Sequence, residues 1–173
     1  MNALADPRVA DYLNENFICT YLKVGTFQII GGQKVGGNVA TYFCLPDSCV
    51  VHAVAGKVEA NKLLSEARWA YEVRKSALTF GANLNTGKMD MRRYADRVRQ
   101  SHTERYQNET NGMWNAGGKM TLPNTMPKNN VTQQAQVHWL LAKNTLPPLE
   151  NVYPTVWRQV LNEQLSTLPV AQR

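Results

Sequence analysis

The three cysteines are the side chains of this 173-residue sequence most suited to covalent chemistry, and their spacing limits what they can do. Cys19, Cys44 and Cys49 form no Cys-x-x-Cys pair. Disulfide exchange needs a low-pKa thiolate, usually at a helix N-terminus, with a resolving thiol beside it. Cys44 and Cys49 instead flank a four-residue turn, where strand positions facing each other can come close enough for a disulfide. The simpler reading is two small, partly buried thiols on strands, with Cys19 in the core. An odd number of cysteines fits a reducing compartment better than a disulfide scaffold.

The other reactive residue types are more scattered. His52, His102 and His138 lie far apart, and no His/Cys/Asp spacing marks a metal site or a Ser/His/Asp set. No metal and no cofactor are expected on this basis. The run Gly31-Gly-Gln-Lys-Val-Gly-Gly37 lacks the Gly-Lys-Ser/Thr ending of a phosphate cradle and does not lead directly into a helix, so it reads as a connector. Between residues 88 and 107, Arg92, Arg93, Arg97, Arg99 and Arg105 alternate with Tyr94 and Tyr106, a pattern able to grip phosphates and stack bases. Asp90, Asp96 and Glu104 interrupt it at i,i+3 and i,i+4 spacings that suit a solvated helix face.

The elements that must position these residues follow from periodicity. Asp6-Pro7 predicts a helix start, with Val9, Leu13 and Phe17 at four-residue spacing behind it. Phe17 to Val24 is apolar on both alternating faces, the pattern of a central parallel strand. Asn38–Cys44 and Cys49–Ala55 predict two strands joined at Leu45-Pro-Asp-Ser48, where Pro46 and Asp47 suit the centre of a type I turn. Apolar positions from Val58 to Leu78 trace one helical face. A linker at 81–87 precedes the basic helix over 88–107, an irregular stretch over 108–130, a helix over 131–143 and a last helix over 154–165.

The order helix, strand, hairpin, Gly56, helix resembles the second half of a thioredoxin domain. The resemblance rests on Asp-Pro-Arg-Val…Leu-Asn-Glu-Asn-Phe17 and on Asn38 to Gly56. It implies an α/β thioredoxin-like domain over residues 1–80, incomplete or degenerate, with a helical C-terminal extension over 81–173. The position before Thr41 carries Ala40 in place of the family's cis-proline, and no Cys-x-x-Cys segment is present. The resemblance therefore transfers no catalytic residue. It places Gly36, Gly37, Asn38, Ala40 and Thr41 at the substrate groove. No apolar run precedes Asp6 to supply the family's first strand; Thr26–Ile30 is the favoured segment to fill that slot, the alternatives being a strand donated by a second copy or partner, or a start upstream of Met1.

Net charge is +6, and all of the excess lies beyond residue 60: four basic and five acidic side chains come before it, fifteen and eight after. An acidic partner is thereby permitted but not required. The N-terminal residues show no basic and apolar leader, and no apolar run approaches the ~20 residues of a membrane span, so a cytoplasmic protein is expected. The expected function is a non-catalytic, redox-inactive interaction module that binds a protein or a second copy of itself. The alternative is a thiol-dependent redox protein using Cys44 and Cys49, and a third reading is nucleic-acid binding through the basic helix.

Overall fold

A computed structural model describes residues 2–22, 27–83, 85–110 and 122–165. Asp6 closes a 3-10 turn at Ala3–Ala5 and caps the first helix, α1 (Pro7–Asn16). Its carboxylate accepts the Arg8 N–H at 3.0 Å, and Pro7 occupies the first helical position, where no N–H is needed. Val9 and Leu13 form the buried side of α1.

After α1 the chain departs from the expected central strand. Phe17 to Tyr21 joins no sheet, and Leu22 makes only an isolated bridge. The Ile18 side chain is fully exposed. The apolar alternation is present, but the neighbouring strands pair elsewhere and leave it no ladder. Lys23 to Thr26 lie outside the described residues.

The described part of the expected Thr26–Ile30 strand, Phe27–Ile30, does not fill a slot in a larger sheet. β1 (Phe27–Ile30) pairs antiparallel with β2 (Gln33–Gly36), Phe27 opposite Gly36 and Ile30 opposite Gln33. Gly31 and Gly32 make the turn at φ of 59° and 78°, and a two-residue hairpin turn with positive φ at both positions favours glycine. The glycine-rich run is thus half strand, not all connector.

The second sheet is also a two-stranded hairpin, β3 (Ala40–Cys44) with β4 (Val50–Ala55), as expected. The Ser48 N–H donates to Leu45 O at 2.9 Å to close the turn, and Ser48 itself sits at φ 66°. A bulge between Phe43 and Cys44 puts Cys44 opposite Val50 and not opposite Cys49.

Among the described residues, four further helices follow: α2 (Ala60–Gly81), α3 (Met91–Thr110), α4 (Gln133–Lys143) and α5 (Leu149–Thr155). α5 continues into a π-helical turn at Val156–Val160. The last helix therefore starts five residues earlier than expected, directly after Pro148. Of the expected irregular stretch over 108–130, residues 108–110 belong to α3, 111–121 lie outside the described residues, and 122–130 hold no helix or strand.

Every residue of β4 is buried, and this strand ties the molecule together. Val50, Ala53 and Ala55 pack with Val137, Leu141, Val156, Trp157 and Val160. Val54 packs with α1 and α2 through Val9, Leu63 and Ala67. Val51 packs with Val73, Ala77, Tyr94 and Val98 of α2 and α3. The fold is mixed α/β with small antiparallel sheets, and its C-terminal helices dock on the β3–β4 hairpin. Among the described residues, no helix is long and apolar enough to cross a membrane.

Candidate metal centre

His52 interrupts the otherwise apolar β4, and its side chain has nowhere to go but the core. His102 lies on the buried stripe of α3, at four-residue spacing with Tyr94, Val98 and Tyr106. His138 lies on the buried side of α4 beside Ala135, Leu141 and Ala142. All three imidazoles have 0% exposure, and one ring nitrogen of each falls within 4.8 Å of the other two. Helices α3 and α4 pack against each other and against β4, so three residues distant in sequence meet at one point.

The hydrogen bonds fix the tautomers. The His102 Nε2–H donates to Val51 O at 2.8 Å, so in the neutral ring Nδ1 is a bare lone pair. His138 Nδ1 lies 2.8 Å from that atom and supplies the proton between them. His52 Nε2 lies 2.9 Å from Glu66 Oε2 and donates to the carboxylate, which leaves its Nδ1 bare. That Nδ1 has no partner, nor does His138 Nε2, whose closest carboxylate oxygen, Glu109 Oε1, is 3.6 Å away.

Electrostatics keep the three rings neutral. Burial, and then repulsion that a second imidazolium beside His52 would meet, holds His102 down at about 3, against an opposing pull from the Val51 carbonyl. Burial lowers His138 strongly, helped by His102 and His52. Burial also lowers His52, although Glu66 pulls it upward. Burial works against ionisation of Glu66, but the hydrogen bond from His52 and the cations Lys62 and Arg105 outweigh it and hold the carboxyl at about 2. Lys62 Nζ and Arg105 Nη2 each lie 2.7 Å from Glu66 Oε1.

Neutral imidazole is the form that binds metal. A zinc ion sits about 2.0–2.1 Å from imidazole nitrogen, so three rings around a tetrahedral ion have centroids about 5.2 Å apart. Here the separations are 5.6 Å for His52–His102, 5.4 Å for His52–His138 and 5.1 Å for His102–His138. The outward nitrogens face Glu66, the Val51 carbonyl and Glu109, the carboxylate and carbonyl partners that orient metal-bound histidines.

Trp69, on α2, covers one side of the cluster. Its ring lies edge-on to all three imidazoles, at 4.6, 5.0 and 5.3 Å between centroids. The Arg105 guanidinium stacks 4.7 Å over that indole. Outside them opens a cleft of about 690 Å³ lined by Trp69, Arg105, Glu109, Arg97, Glu104 and Glu72 among others.

The residues singled out from sequence lie elsewhere. Cys44 and Cys49 are free thiols at the tip of the β3–β4 hairpin. Although its side chain reaches solvent, desolvation, then Cys49 and Asp47, pushes the Cys44 thiol up to about 11, and Cys49 is raised too. Cys19 is exposed, not in the core. Gly36 ends β2, Ala40 and Thr41 open β3 opposite Ala55 and Val54, and the Asn38 N–H donates to Glu163 at 3.3 Å. The arginines are dispersed. Arg93 stacks 4.9 Å over Phe80, Arg97 donates to Ser76 Oγ, Arg99 pairs with Asp96, and the Arg92 N–H is held by the Asp90 cap. The sequence signal that marks the histidine cluster is three histidines on apolar stripes, one each on a strand and two helices.

No family model matches the chain, and neither the curated proteins nor the solved structures gave a match.

Proposed function

We propose that this protein binds one divalent transition-metal ion of the zinc type through Nδ1 of His52, His102 and His138. The observation that carries this reading is the pattern of bare nitrogens. Three neutral imidazoles converge in a dry core, His52 Nδ1 has no donor to meet it, and the Nδ1 atoms of His102 and His138 share one proton, which an ion between the rings would move to His138 Nε2, facing Glu109. A buried acceptor left unpaired costs about 1–3 kcal/mol, and an ion between the rings removes that cost. An all-imidazole donor set favours zinc, copper, nickel or iron over magnesium or calcium.

Metal analysis of the purified protein, followed by titration of the chelator-stripped protein with Zn(II) and Co(II), tests this. One ion per chain is expected. His52→Ala, His102→Ala and His138→Ala should each weaken binding by at least tenfold. Equal binding by the wild type and a variant lacking all three histidines would refute the proposal.

A metal centre is compatible with the interaction module expected from sequence, and exposed Ile18, Ile29 and Ile30 favour that second reading as a contact surface. The raised thiols give no support to disulfide chemistry at Cys44 and Cys49. A thioredoxin-like origin rests on the succession of α1, the β3–β4 hairpin, Gly56 and α2, and the unpaired segment from Phe17 to Tyr21 weighs against it.

A further inference from the structure

The three histidines leave a tetrahedral ion one ligand short, and the surroundings specify what takes the vacant position. Among the described residues, the group able to hold an ion contains no fourth histidine, cysteine or carboxylate. The nearest carboxylates have other duties. Both oxygens of Glu66 are engaged, by His52 on one side and by Lys62 and Arg105 on the other. Glu109 Oε1 lies 3.5 Å from Arg105 Nε and faces the outward nitrogen of His138. Trp69 is the neighbour common to all three rings, and an indole offers a hydrogen-bond donor but no lone pair for a metal.

Resting on the metal reading above, we infer that the fourth coordination position is open and takes a small anion, which enters from the cleft past Trp69 and is hydrogen-bonded by Arg105. Two independent features point to an anion. The first is charge. A divalent ion among neutral imidazoles, with Lys62 and Arg105 on the Glu66 side and only Glu66 and Glu109 against them, leaves an excess of two positive charges around three buried rings. Buried charge without a partner is costly, and an anion on the metal reduces it. The second is a donor. Arg105 Nη1 is buried and has no acceptor, although Nη2 and Nε face Glu66 and Glu109.

The path is short. Trp69 and Arg105 both line the cleft, Trp69 packs edge-on against all three rings and Arg105 stacks over its indole, so the pair stands between the cleft and the cluster. The stack is pinned by the 2.7 Å contact from Arg105 to Glu66 rather than by packing alone. A water molecule or hydroxide occupies the position when no other anion is present, and zinc lowers the pKa of such a water toward ~7.

Sodium azide added to the Co(II)-loaded protein provides the test, read from the cobalt d–d absorption. The expected result is a saturable shift of the bands with one azide per metal. Arg105→Lys, which keeps the charge but loses the fork, should weaken azide binding by roughly tenfold or more. Trp69→Ala should speed azide entry in stopped-flow mixing. Co(II) bound by the histidines with bands indifferent to azide would overturn this inference and leave the metal site standing. Equal azide affinity in wild type and Arg105→Lys would overturn the role of Arg105. Failure of Co(II) to bind at all would overturn both proposals.

Discussion

Glu66 is the residue on which the buried polar cluster turns. It is a carboxylate with 0% exposure, held by one imidazole and two cations. Removing one partner of such a group leaves the others buried and unmatched, which typically costs about 3–5 kcal/mol. Glu66→Gln should therefore lower the urea midpoint of the metal-free protein by a corresponding amount; a loss below about 1 kcal/mol would show that the cations find other partners. The pH dependence has a definite sign. The carboxyl is held at about 2 against an ordinary 4.5, so its contribution is complete above 4.5 and lost as pH falls toward 2. His102 is held at about 3 against 6.5, and a histidine buried neutral loses its contribution as pH falls from 6.5 toward 3. The metal-free protein should thus weaken steadily below pH 6.5, and Glu66→Gln should remove only the more acidic part of that decline.

At the scale of elements, the hairpins show how much turn chemistry reveals. Leu45-Pro-Asp-Ser48 reads directly as a type I turn because Pro46 fixes its own φ and Asp47 bonds the Cys49 N–H at 3.0 Å. The last residue of that turn adopts positive φ where the chain re-enters the strand, and Ser48 does so at 66°. A side chain there is strained, so Ser48→Gly should stabilise the protein by about 0.5–1 kcal/mol in denaturant titration. A loss of stability would mean that the serine side chain makes up for the strain. The Gly31-Gly32 turn carried the same information, since Gly-Gly between two β-prone segments is a two-residue hairpin signal. Reading the glycines as a connector hid β2. Phe17 to Tyr21 shows the opposite error, a strand pattern with no strand to pair with.

For the whole molecule, β4 decides cohesion. It contributes to all three core clusters, and α4, α5 and the π-helical turn reach it through Val137, Val152, Val156 and Trp157. The C-terminal helices have too little apolar surface to fold apart from it. Trp157, at 3% exposure, should cost roughly 3–5 kcal/mol on truncation to alanine, with one cooperative transition in both proteins. Two separate calorimetric transitions in the wild type would show that the C-terminal helices fold independently.

The sequence by itself determined the local elements: the Asp6-Pro7 helix start, the β3–β4 hairpin, the long apolar stripe of α2 and the amphipathic α4. These depend on residues a few positions apart, whose propensities and spacing act within the chain segment itself. It also determined that no two cysteines stand in a Cys-x-x-Cys arrangement. Only the tertiary structure decided which strands pair and where the histidines go. Strand pairing depends on which edges are free once distant segments have docked, so the strand pattern at Phe17 could not reveal that its partners were taken. Residues 52, 102 and 138 share no sequence spacing because they come from three elements. The packing of α3 and α4 against β4 brings their nitrogens within 4.8 Å of one another, and the dry core formed there keeps the rings neutral.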